Sequence, residues 1–240
     1  MNAMTIIGAI TVLVFLAAGV QTARIARKSS EPGMGWLAAN FLFAAVGNVF
    51  SMLVYAPPVT TVIAAVSLTI TAICLIMFVH RTFYRDRTSP YLFFLVVAVL
   101  AGAYHIYVAF TNPMSYTSYT QIGLGLVWAW QAFLAYKYYQ HFRKDPVVED
   151  WVKGRYLLWF IYTATTFVLI ARMFLPLAYG SWEQYVSTPL LIVCVILQYL
   201  TWAMPAGLQR WLNRNYKPVT AATPDEMMAM AEKELAKQAR

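Results

Sequence analysis

A chain of 240 residues that is 60% hydrophobic, 16% aromatic and only 12% charged, with a mean hydropathy of +0.57, holds more apolar surface than one soluble core can bury, which excludes a water-soluble globular domain. Its net charge of +8 would suit nucleic acid on a soluble surface. In a polytopic membrane protein the same excess collects in cytoplasmic loops, so the expected partner is the lipid bilayer and not nucleic acid.

Crossing about 30 Å of hydrocarbon takes about 20 apolar residues in a helix, and seven stretches meet that requirement: 4–23, 35–56, 59–80, 90–111, 118–139, 156–178 and 184–204. The first has no basic residues before it and Arg24, Arg27 and Lys28 after it, the pattern of a retained span and not of a cleaved signal. Beyond the turn Glu31-Pro32-Gly33, the second carries Asn40, Ala44, Asn48, Ser51 and Tyr55 at steps of four, four, three and four, a small and polar face at helical spacing. Pro57-Pro58 leads into the third, which holds Cys74 and ends before Arg81, Arg85 and Arg87. With Cys194 also in an apolar run, the two cysteines suggest neither a disulfide framework nor a zinc site.

The fourth span opens at Ser89-Pro90 and carries Tyr104, His105 and Tyr107 in its outer part. The fifth follows Asn112-Pro113 and presents Gln121, Gly125, Trp128 and Gln131; around its inner end lie Lys137, Arg143, Lys144, Lys153 and Arg155, with a break at Asp145-Pro146. The sixth offers Tyr162, Thr165, Leu169 and Arg172, and the seventh, past Gly180-Ser181, offers Gln184, Ser187, Leu191, Cys194, Gln198 and Trp202. After Pro205-Ala206-Gly207 the segment LQRWLNRNY gathers Leu208, Trp211, Leu212 and Asn215 on one side, which suits a short helix in the membrane interface. In the tail, Thr223, Pro224 and Glu226 form a helix start, and Met227, Met228, Met230, Ala231 and Leu235 an apolar face. Residues 219–240 therefore suit docking of a cytoplasmic signalling partner.

Seventeen of the eighteen lysines and arginines follow odd-numbered spans, and the loops after the second, fourth and sixth have none. The positive-inside rule then places the N-terminus outside and the C-terminus in the cytoplasm. The expected fold class is an all-α integral membrane protein of the plasma (inner) membrane. Residues 1–205 form a seven-transmembrane helix bundle, 206–217 an interfacial helix, and 218–240 a cytoplasmic tail with a short helix.

Polar side chains inside spans are costly and face the bundle interior. Counted at about 1.5 Å per residue, Asn48, Ser51, Tyr55, Tyr104, His105, Gln121, Arg172 and Glu183 fall in the outer half or at its rim. With Trp128 they make the candidate ligand-binding set of an outward-open pocket. Arg172 is the one basic residue off the cytoplasmic side, and Glu183, across the turn from it, is the one acid there; the two are expected to pair and hold the sixth and seventh spans together. His105 is the one histidine well inside a span, with His80 and His141 at cytoplasmic ends, so paired axial haem ligation lacks matching depths. No paired catalytic set is visible, and the reading is of a non-enzyme without a cofactor.

Seven spans with an outside N-terminus resemble a receptor-type architecture. The microbial rhodopsins share it, but they attach retinal through a lysine in the seventh helix, and WEQYVSTPLLIVCVILQYLTWAMP has none. The stretches ARMFLPLAYGSWEQYVSTPLL and YLTWAMPAGLQRWLNRNY resemble the seven-helix sensory modules that bacteria carry ahead of histidine kinases, which implies sensing of a small ligand and signalling to the cytoplasm. QTARIARKSSEPGMGWLAANFLF and YYQHFRKDPVVEDWVKGRYLLWF each end one span, turn and begin the next. A three-plus-one-plus-three repeat of that kind would resemble the PQ-loop and sugar transporters, although Val20-Gln21 stands where the proline-glutamine pair belongs. Transport and an accessory role in a membrane complex are the alternative expectations.

Overall fold

In hydrocarbon every backbone N–H and C=O has to be satisfied within its own segment, and the long apolar runs of this chain accordingly form helices. The computed structural model describes residues 3–52, 58–84, 90–111, 120–172 and 182–216. Its long helices are α1 (Ala3–Ala26), α2 (Met34–Met52), α3 (Pro58–Phe83), α4 (Tyr91–Thr111), α5 (Thr120–Phe142), α6 (Asp150–Arg172) and α7 (Trp182–Ala203), followed by α8 (Ala206–Leu212) and one 3₁₀ turn at Asn213–Asn215. Among the described residues there is no strand. Five of the helices, α1, α3, α4, α6 and α7, are long and apolar enough to cross a membrane; the apolar part of α2 is shorter, Met34–Phe50. Large apolar side chains such as Leu13, Phe93, Leu100, Phe110, Val168 and Val193 stand exposed on the outside of the bundle, as lipid-facing residues do. This is the make-up of a multi-pass membrane protein.

The helices pack in chain order, each against the next, and α7 closes the ring against α1, while α3 also reaches α5. Small residues set the spacing. A Cβ added at Gly123 on α5 would come 2.9 Å from the Ala98 Cα on α4, and one at Gly19 on α1 would come 2.7 Å from Leu42 on α2. Helices without a water-driven attraction gain their association from such close van der Waals approach. Several buried hydroxyls are satisfied inside their own helices: Thr71 donates to the Ser67 carbonyl at 2.9 Å, Thr163 to Trp159 at 2.6 Å and Thr166 to Tyr162 at 2.7 Å. Threonine can thus line helix contacts without an orphaned polar atom.

Helix α6 begins at Asp150, well before the expected 156. Hydropathy overlooks its first turns because they are polar, yet local chemistry starts the helix there. The Val147 N–H donates to Asp145 Oδ1 at 2.9 Å, which turns the chain, and Asp150 puts an acid in the first turn, 3.3 Å from Lys153 Nζ. Asn213, immediately after α8, supplies the rest. Its Oδ1 accepts the Trp151 N–H at 2.8 Å and its Nδ2 donates to Glu149 Oε2 at 2.6 Å, while Tyr216 donates to the Val147 carbonyl at 2.9 Å. An orphan N–H of the α6 start is capped by a residue 62 positions away. Asn213→Ala is expected to cost about 1 kcal/mol and to speed amide exchange at Trp151; unchanged exchange there would sink the capping role.

The expected interfacial helix over 206–217 is divided into α8 and the 3₁₀ turn that presents Asn213. Its junction with α7 is sharp. Met204 is buried and adopts φ 29°, a left-handed conformation uncommon for a residue other than glycine. Its carbonyl accepts Gln209 Nε2 at 2.9 Å, and its own N–H still bonds the Leu200 carbonyl at 2.9 Å.

Candidate functional site

Two regions of the bundle concentrate polar and aromatic side chains. The first is the interior at mid-depth, where α5, α6 and α7 meet. Tyr162 and Trp159 of α6 and Gln131 of α5 are each 0% exposed, and Thr166, Cys194 and Gln198 are buried as well. Trp128 lies edge-on to Tyr162 at 6.1 Å between centroids, and Trp202 Nε1 donates to the Tyr162 hydroxyl at 2.8 Å, joining α5, α6 and α7 through one tyrosine. Other polar atoms here find no protein hydrogen bond: both side-chain amide atoms of Gln131, Gln198 Nε2 and Trp159 Nε1; on α2 the buried Asn40 Oδ1 likewise has none. A buried carboxamide without a partner costs about 1–3 kcal/mol, whereas an apolar side chain of similar size does not. Gln131→Leu is therefore expected to raise stability by about 1–3 kcal/mol in denaturant titration of the solubilised chain. A loss of stability would show that the amide is satisfied and structural.

The second region is the basic end of the bundle. Trp202 is its hub, with Phe78 at 4.9 Å, Phe83 at 5.7 Å and Trp159 at 5.4 Å, all near edge-on. Phe83 stacks on Trp159 at 4.5 Å with 11° between planes, and Tyr138 stacks on Tyr156 at 5.4 Å, also at 11°. Beside these rings lies a cavity of about 370 Å³ lined by Glu31, Pro32, Arg81, Thr82, Phe83, Tyr138, Arg155, Tyr156 and Trp202. It sits where the ends of α3, α5 and α7 and the start of α6 converge under the α1–α2 loop. Arg155 Nε donates to the Thr201 carbonyl at 3.1 Å, and its guanidinium lies 5.2 Å from the Trp151 ring and 5.8 Å from Trp202. One hydrogen bond and two ring faces thus fix the orientation of a planar cation. Across the loop, a Cβ on Gly33 would overlap Thr82 Oγ1, so glycine is needed for the loop to close on α3.

The residues expected from sequence fall as follows. His105 is 8% exposed and lies on the packed face of α4 with Ala98, Gly102 and Ala109, whereas Tyr104 is 51% exposed and Tyr107 is exposed beside it. Trp128 is buried against Tyr162. Asn48 is part-buried and its Nδ2 donates to the Ala44 carbonyl of its own helix at 2.7 Å. Tyr55, the side chains of Ser51, Gln121, Arg172 and Glu183, and residues 219–240 lie outside the described residues. On α6 the buried face runs through Trp159, Tyr162, Thr163, Thr166 and Ile170, so Thr166 and not Thr165 continues the stripe from Tyr162. The stripe Tyr162, Thr165, Leu169 and Arg172 steps three, four and three, which falls short of 3.6 residues per turn and drifts around the helix.

Sequence reasoning overlooked the basic-end cavity. Arg155 counted there only as one of the charges that set orientation, and Phe83, Tyr138 and Tyr156 carried no signal of their own. The available signal was aromatic density, in YKYYQHF at the end of α5 and WVKGRYLLWF at the start of α6, two facing segments with far more rings than lipid contact needs.

No protein-family model, no curated protein and no solved structure matches this chain.

Proposed function

We propose that this chain is a seven-transmembrane, receptor-like sensory protein of a bacterial inner membrane, N-terminus outside and C-terminus cytoplasmic, that binds a small ligand in the outer half of the bundle and signals to a cytoplasmic partner. The observation that carries the reading is the tie between α6 and α8: the start of α6 is capped by Asn213, and α7 reaches α8 through the left-handed Met204. In this reading a ligand-induced shift of α6 is passed to α8 through the Asn213 cap. The buried Trp128–Tyr162–Trp202 chain of contacts supports the reading by linking α5, α6 and α7 from mid-depth to the basic end. Asn48, Tyr104, His105 and Trp128 are the described members of the proposed ligand-binding set, and Ser51, Tyr55, Gln121, Arg172 and Glu183 complete it.

Transport is the second reading, and the cavity at the opposite end from the proposed outer pocket favours it, because alternating access needs openings on both sides. Reconstitution separates the two. A sensor purified alone accumulates no solute in proteoliposomes, and its full-length form retains a cytoplasmic partner that the 1–218 truncation releases. Solute uptake by the chain alone would overturn the sensory reading.

A further inference from the structure

We propose that the cavity at the basic end is a binding site for a small organic anion, with one carboxylate or phosphate group on a flat apolar body. This rests on the cavity alone and stands apart from the sensory reading. At about 370 Å³ the space falls within the range of small-molecule sites, and it is too small for a partner helix about 10–12 Å across. Its charge is lopsided. Arg81 and Arg155 both line it against the single carboxylate of Glu31, whose field reaches Arg155, and the one ion pair among the described residues is Lys153–Asp150, so two guanidinium groups face one acid and neither is locked in a salt bridge.

Arg155 is the pre-set half of the recognition. With Nε committed to the Thr201 carbonyl and the plane held by Trp151 and Trp202, its terminal Nη groups remain for a two-oxygen acceptor, the geometry that guanidinium shares with carboxylate and phosphate. The remaining walls, Phe83, Tyr138, Tyr156 and Trp202, are flat rings that suit an aromatic or aliphatic body.

The test is a titration of the full chain in nanodiscs of zwitterionic lipid, followed by tryptophan fluorescence because Trp202 forms one wall. Benzoate and phenyl phosphate are the probes, with neutral benzyl alcohol as the control. Saturable binding of either anion is expected, weakened by roughly 0.5 M salt and by about tenfold in Arg155→Gln. Glu31→Gln, in an exposed loop, is expected to tighten it by removing the opposing charge, which keeps the proposal testable if Arg155→Gln does not fold. Weaker benzoate binding in nanodiscs containing phosphatidylglycerol would identify a lipid headgroup as the natural source of the anion, and unchanged binding would identify a soluble one. The site is refuted if benzyl alcohol binds as well as benzoate, if neither anion binds at millimolar concentration, or if a folded Arg155→Gln protein keeps the wild-type affinity.

Discussion

Trp159→Ala lowers the stability of the bundle by about 3–5 kcal/mol, the largest effect expected of any single truncation. The indole is 0% exposed, stacks on Phe83 and meets Trp202 near edge-on, with Tyr138 and Tyr156 in reach at 6.2 Å. Removing it leaves a void among four rings that cannot collapse, because each of those rings belongs to a different helix or is held by its own stack. In a bilayer the loss is one of packing and dispersion, since lipid is as apolar as the core. Trp159→Phe separates ring from donor. Nε1 has no hydrogen-bond partner, so phenylalanine forfeits only volume and is expected to cost below about 1.5 kcal/mol. Equal losses in the two variants would mean that Nε1, and not the stack, sustains the site. Reversible unfolding in mixed detergent micelles provides the measurement.

Gly123→Val is expected to be the second most damaging change, at about 3 kcal/mol or more. The added Cβ would lie 2.9 Å from the Ala98 Cα and 3.4 Å from its Cβ. The obstacle is backbone, which has no rotamer to turn aside, so α4 and α5 have to separate along their whole contact. Ala98 and Leu124 are both buried at this seam and lose their neighbours together. Gly35→Val is the control: a Cβ there meets nothing within 4 Å, and a change within about 0.5 kcal/mol is expected. If both valines behave alike, the close approach of α4 and α5 does not hold the ring closed.

These effects bear on function through the same contacts. Trp159 belongs to the buried interior and, through its stack on Phe83, touches the wall of the basic-end cavity. Helix α6 carries Tyr162 inward, Arg155 at the cavity and Trp151 at the α8 cap. It is the one helix present at all three places.

Composition and periodicity by themselves determined that the chain is helical and membrane-borne, where its long helices run and that a short helix follows the seventh, because the cost of backbone polar groups in hydrocarbon leaves a run of apolar residues little choice. The charge pattern adds an expected orientation, with the N-terminus outside. Which side of each helix faces inward was legible where small and polar residues repeat at regular spacing, as from Asn40 to Ala44 or from Cys194 to Gln198 and Trp202. It was not legible on α4, where Tyr104 and His105 are neighbours in sequence yet point to opposite surroundings. Only the tertiary structure decided the order of the ring, the cap that Asn213 places on α6, and the convergence of Arg81, Arg155, Tyr138 and Trp202 on one cavity. Those residues are scattered over four helices, and what unites them is the packing of the ends of α3, α5, α6 and α7 against one another, a property of sets of helices that no single helix carries in its own sequence.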